Sequence, residues 1–122
     1  MRLVYVASPY SGDTAWHERY ALAALRDCLA RREAPYAPHL LYPAVLNEDW
    51  PDERRLGMDA GLAWLRRADA LAVYTDLGLS RGMRAEIETA LRLGVPIETR
   101  CLGGWQEKPT RGDGSSSEGG WQ

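Results

Sequence analysis

Short apolar runs rich in β-branched residues alternate along the chain with longer stretches in which leucines recur at helical spacing. The run "RLVYVAS", closed by Ser8-Pro9, predicts a buried strand over roughly residues 2–7. "SPYSGD" follows as a turn-rich loop, and Asp13 or Thr14 can cap the next helix. In that helix Leu22, Leu25 and Leu29 share one face, with Arg26, Arg31 and Arg32 largely elsewhere. It is expected to end before Pro35. A strand of about four residues near 35–38 is plausible, and Pro35 places it at a sheet edge.

Residues 39–52 read as a loop carrying His39, Tyr42 and Trp50, and Pro51 sits where a helix can begin. Leu56, Leu62 and Leu65 give that helix its apolar stripe. "ALAVYT" (70–75) predicts a second buried strand. "DLGLSRG" is a loop, and the next helix stops at Gly94, a natural left-handed C-terminal residue. "VPIET" (95–99) completes the pattern as a short last strand. The order β-α-β-loop-α-β-α-β implies a parallel sheet of about four strands with helices on both faces. Ligands in such sheets bind outside the carboxyl ends of the strands. That rule selects "SPYSGD", "HLLYP" and "DLGLSRGM".

Composition narrows the function classes. A chain of 122 residues, 45% of them apolar, supports one domain with one core. Fifteen basic residues stand against 17 acidic ones, so no dominant basic surface for duplex nucleic acid is expected. Cys28 and Cys101 match no metal-ligand spacing, and Cys28 falls within a helical pattern as a small buried hydrophobe. No stretch has the length of a signal peptide or a membrane span, so a soluble cytoplasmic protein is the expectation. Five Trp and six Tyr, with no Phe, suit a pocket that stacks a flat ring as well as they suit a core. From Gly103 the chain loses its aliphatics: six Gly and three Ser fall within the last 20 residues. The expectation is a domain over 1–102 and a flexible tail over 103–122, in which Arg111-Gly112-Asp113 is a chance match to an adhesion motif.

No G-x-G-x-x-G, P-loop, G-x-S-x-G or zinc spacing occurs, so neither a metal nor an organic cofactor is expected. The polar residues left near the strand ends are Tyr5, Ser8, Tyr10, His39, Tyr42, Asp59, Asp76, Ser80, Glu86 and Glu88. In the helix after Ser80, Met83, Ile87, Ala90 and Leu91 define the buried face. Glu86 lies about 85° from its centre and Glu88 about 115°, at 100° per residue. Helical phase thus favours Glu86 slightly over Glu88. Either remains open to a solvated position that complements the helix dipole.

"VYVASPYSG" (4–12), "APHLLYP" (37–43), "DAGLAWLRRAD" (59–69) and "SRGMRAEIETALRLGVP" (80–96) together resemble a small phage and bacterial family of DUF4406 type, related to the nucleoside 2-deoxyribosyltransferases. The resemblance covers most of residues 2–98. It implies a flavodoxin-like α/β domain that cleaves or exchanges the N-glycosidic bond of a nucleoside or nucleotide, working as a homo-oligomer. It makes Glu86, four residues after Gly82, the nucleophile. Tyr5 becomes the group that orients it, and Asp59 the group that handles the leaving base. Ser8, Pro9, Tyr10, His39, Ser80, Gly82 and Met83 become substrate-binding positions. Ser80 stands where the nucleoside enzymes carry an aspartate, and Ser8-Pro9-Tyr10-Ser11 lacks the arginine of the nucleotide-hydrolysing relatives' first loop. A protein that binds a nucleotide or a nucleotide-derived signal without turnover is the alternative. On the residues alone, Tyr5 is equally strand core, Asp59 a solvated helix charge, and His39 a loop cap. Ser8 and Tyr10 are equally turn-formers, and Asp69 satisfies backbone where a helix meets a strand.

Overall fold

In the structure, a computed structural model describing residues 1–106, four strands form one parallel sheet. The strands are β1 (Leu3–Ala7), β2 (Ala34–Tyr36), β3 (Ala70–Tyr74) and β4 (Ile97–Arg100), in the order β2-β1-β3-β4. The helices are α1 (Thr14–Ala30), α2 (Pro51–Leu65) and α3 (Arg81–Leu93). Two single 3₁₀ turns, Pro38–Leu40 and Tyr42–Ala44, lie between β2 and α2. Strand alternation divides the core. Val4 and Val6 of β1, with Ala72 and Tyr74 of β3, pack against Tyr20, Ala24 and Cys28 of α1. Tyr5, Ala7, Leu71 and Val73 point the other way, onto Leu65 of α2 and Met83 and Ala90 of α3. This is the three-layer α/β arrangement of flavodoxin-like domains. After β2 the chain returns across β1 to lay down β3, which makes the β1–β3 boundary the topological switch point.

Edge position and caps follow the local chemistry. Pro35 pairs with Val4 in edge strand β2, where its missing N–H costs no ladder bond on the open side. Asp13 accepts from Trp16 N at 3.1 Å, and Gly94 closes α3 at φ 76°. Asp69 accepts from Leu3 N at 2.7 Å, satisfying a backbone donor at the start of β1. Arg100 on β4 is buried and held by both oxygens of Glu33, each at 2.8 Å. Arg2 and Glu98 join the same cluster, which ties β4 to the turn after α1.

The helices are oriented by residues other than the leucines that mark them in sequence. On α1 the buried stripe is Trp16, Tyr20, Ala24 and Cys28, whereas Leu22 and Leu29 are 56% and 54% exposed. Leu25 packs only partly against the core. Aromatic rings bury more area than a leucine, and the alanines let the helix approach the sheet. On α2, Leu65 is buried and Leu62 partly so, but Leu56 faces solvent. The close-packed side of α2 is a pair of glycines. A Cβ on Gly61 would lie 3.2 Å from Tyr5 Oη, and one on Gly57 would lie 3.3 Å from Leu46 Cδ1. On α3 Leu91 is exposed.

The segment after β4 is not loose where it is described. Trp105 packs on Trp16 and Tyr20, and Trp16 Nε1 donates to Gln106 O at 3.2 Å. Trp105 and Gln106, expected within a flexible tail from Gly103, are thus held against α1. Residues 107–122, including Arg111-Gly112-Asp113, lie outside the described residues. Among the described residues no helix is long and apolar enough to cross a membrane.

Candidate active site

Tyr5 projects from the middle of β1 onto the α2–α3 face, and its hydroxyl donates to Glu86 Oε2 at 2.8 Å. Glu86 sits in the second turn of α3. Its register is set by Ser80, whose hydroxyl accepts from Met83 N at 3.2 Å, and by Met83, which is fully buried. The other oxygen, Oε1, is buried and has no hydrogen-bond partner among the described residues. Burial pushes the Glu86 carboxyl up to about 7, and the bond from Tyr5 pulls against that rise. Burial, with the adjacent carboxylate, drives the Tyr5 phenol far above its ordinary value, so it keeps its proton and remains a donor.

The pair lines a cavity of about 310 Å³. Its walls come from α2, from α3 and from the segment after β2. That last segment contributes His39, Tyr42 and Leu46. The α3 wall is kept low by Gly82 and Ala85 beside Glu86, and the α2 wall by Gly57 and Gly61. Glu48, Glu53 and Arg54 add the remaining charges. An aromatic wall backs the site: Tyr36 donates to the Tyr42 hydroxyl at 2.6 Å and stacks on Trp64, while its ring lies 5.5 Å from that of Tyr5. His39 stacks on Tyr10 at 5.0 Å and 20°, and burial lowers its pKa. Glu53 accepts from Asn47 N at 2.6 Å, which latches the loop to the first turn of α2. A mostly apolar cleft with a few convergent polar groups has the anatomy of a small-molecule site.

The family model described as "Domain of unknown function (DUF7768)" matches residues 2–100. The chain belongs to the DUF7768 family. No curated protein sequence matches it. Among solved structures it is similar to a 2-deoxyribosyltransferase from the psychrotolerant bacterium Bacillus psychrosaccharolyticus, at 20% identity and a TM-score of 0.63. The likeness spans 84% of this chain and 74% of that one, and it shows that the DUF7768 domain shares the transferase's flavodoxin-like fold.

Of the positions selected from the sequence, Tyr5, His39, Tyr42, Gly82 and Glu86 meet at this cavity. Glu88 is exposed on the flank of α3. Asp59 does not line the cavity; it is exposed on α2. The cavity side of α2 is set by Glu53, Arg54, Gly57, Met58, Gly61 and Leu62, and Asp59 lies roughly 150° from its centre at 100° per residue. Ser80 and Met83 serve α3 as cap and core rather than as lining. Ser8 is buried at the end of β1, and neither it nor Pro9 lines the cavity. Tyr10 stands behind His39.

Glu48, Glu53 and Arg54 were not legible as site residues. The signal for the last two is the i, i+4 glycine pair at 57 and 61, which marks the close-packed side of α2. Asp76, a strand-end carboxylate, is fully engaged by Tyr20, Leu102 N and Gly103 N at 2.6, 2.9 and 2.8 Å. Burial alone would raise its pKa, but these bonds hold it down to about 2. It fastens the segment after β4 to the end of β3.

Proposed function

We propose that this DUF7768 domain breaks the N-glycosidic bond of a (deoxy)nucleoside or nucleotide, with Glu86 as the nucleophile. The observation that carries the reading is a cavity-lining carboxylate with one oxygen held by Tyr5 and the other unpartnered among the described residues. A buried, unsatisfied acceptor is costly and calls for an explanation in function. Rupture of a C1′–N bond builds positive charge on the sugar, and a carboxylate placed at C1′ can capture it covalently, as in retaining glycosidases. Glu86 forms the C1′–O bond while the C1′–N pair leaves with the base. A second base, or water, then attacks C1′ and returns the carboxylate, giving exchange or hydrolysis. The described likeness to a 2-deoxyribosyltransferase supports the same chemistry at the level of fold.

One observation favours a second reading, binding without turnover. Ser80, where the nucleoside enzymes are expected to carry an acid, is spent on capping α3. A single experiment separates the two. The protein is incubated with 2′-deoxynucleosides and their 5′-monophosphates, with and without a free second base, and base release is followed. Release that is lost in Glu86→Ala but kept in Glu88→Ala, with a sugar adduct on Glu86 from a 2′-fluoro substrate, supports the nucleophile. Saturable binding with no release favours the binding protein. Release that survives Glu86→Ala removes Glu86 from the chemistry.

A further inference from the structure

With Asp59 turned to solvent, the departing base needs a different partner, and His39 stands where one can act. It belongs to the 3₁₀ turn Pro38–Leu40 after β2 and lines the same cavity as Glu86. Stacking on Tyr10 fixes the plane of its ring, so the two nitrogens lie on a defined edge. Neither nitrogen has a protein partner among the described residues, and the imidazole is half-buried at the cavity. Burial lowers its pKa, and a neutral imidazole carries one N–H donor and one acceptor.

Few other polar groups of the cavity compete for this role. Glu48 and Glu53 repel developing negative charge, while the Tyr42 hydroxyl, which accepts from Tyr36, keeps its own proton and is the competing donor. Arg54 lines the cavity from the start of α2 but is exposed to solvent, which screens its charge. Glu86 enters from α3 and His39 from the segment after β2, so nucleophile and donor bear on the cavity from separate elements. Displacement at C1′ puts the entering and leaving groups on different sides of the carbon, a demand that groups borne on separate elements can meet.

We propose that His39 donates its ring N–H to an acceptor nitrogen or oxygen of the base as the C1′–N bond breaks. The inference rests on the glycosidic reading of the site. The electron pair of the broken bond stays on the base, the hydrogen bond from His39 disperses it, and the base takes its proton from solvent on release.

The test uses three leaving groups: 2′-deoxyadenosine, 2′-deoxyguanosine and 7-methyl-2′-deoxyguanosine, whose base departs uncharged. His39→Ala is expected to lower kcat on the first two by on the order of 10²-fold, the usual effect of removing one donor to developing charge. It should leave the methylated substrate within about a few-fold of wild type, since no charge develops there for a donor to disperse. His39→Gln, which keeps an N–H, should restore part of the loss. An equal loss on all three substrates, or none on any, overturns the role of His39. A wild-type protein that releases base from no deoxynucleoside and no 5′-monophosphate, with or without a free second base, overturns the glycosidic reading itself, which is a distinguishable result.

Discussion

The Tyr5 hydroxyl reaches from β1 to Glu86 on α3 and binds one carboxylate oxygen at 2.8 Å, while the other oxygen has no partner among the described residues. The bond has two consequences. It orients the carboxylate, and it opposes the burial that otherwise keeps Glu86 protonated. A nucleophilic carboxylate must be ionised, so kcat/KM should rise with pH and level off above an inflection near 7. Tyr5→Phe removes the opposing bond. Its profile should inflect at higher pH than wild type, and its plateau should fall by about 10-fold or more for lost orientation. A pH–rate series on both proteins checks this; an unmoved inflection would mean that Tyr5 is packing only.

Stability should move against activity at the same residue. The Glu86 carboxyl goes from an ordinary 4.5 in the unfolded chain to about 7 in the fold. Between those values the unfolded chain holds fewer protons, so wild-type stability falls as pH rises and then stays reduced. The shift corresponds to about 3 kcal/mol at most. Glu86→Gln keeps an acceptor for Tyr5 and loses the titration. Urea melts should find it as stable as wild type near pH 4.5 and increasingly more stable up to pH 7. Glu33 and Glu98 have the opposite sign. Hydrogen bonds from Arg100 and Arg2 hold both down to about 2, so their contribution is present above pH 4.5 and is lost as pH falls toward 2. Both proteins should share that acid limb.

The two glycines of α2 give an independent probe of the same pair. Ala is the better helix former by about 1 kcal/mol, so each substitution is favourable for the helix alone. A methyl on Gly57 meets the end of the flexible Leu46 side chain, which can give way. A methyl on Gly61 meets the Tyr5 hydroxyl at 3.2 Å, and that hydroxyl cannot move without stretching its bond to Glu86. Gly57→Ala should therefore be neutral or stabilising and keep the wild-type inflection, even where its methyl narrows the cavity and lowers the rate. Gly61→Ala should reproduce the Tyr5→Phe pH profile, and a Gly61→Ala profile like that of wild type would show that the helix simply shifts.

These glycines also mark the limit of what the sequence discloses. Strand existence, parallel order, the Pro35 edge, the Pro51 helix start and the Gly94 stop were all legible, because each has a local cause. Helix facing was not, because it was read from leucines. Trp16 and Tyr20 anchor α1, and Gly57 and Gly61 bring α2 close, neither of which scores as an aliphatic stripe. Asp59 was a site candidate only through the family resemblance; α2 carries it on its exposed side, the solvated position that the residues alone allowed. Glu86 and Tyr5 came together because a strand's alternation and a helix's phase each fixed one of them.

Charge around the cavity bears on which of the two candidate substrate classes is preferred. Glu48 and Glu53 line it together with Glu86, against Arg54 as the guanidinium. His39 is kept from protonation by burial, so it adds no positive charge near neutral pH. A phosphate dianion entering this wall meets more repulsion than attraction, and exposed charges of this kind are screened by salt. A 2′-deoxynucleoside should therefore turn over with higher kcat/KM than its 5′-monophosphate, by about 10-fold or more at low salt, with the gap narrowing as ionic strength rises. Arg54→Ala should widen the gap, because it removes the attraction and leaves the carboxylates. Glu48→Gln should narrow it. A monophosphate preferred at low salt, and weakened by Arg54→Ala, would instead assign Arg54 to the phosphate and make the domain a nucleotide enzyme.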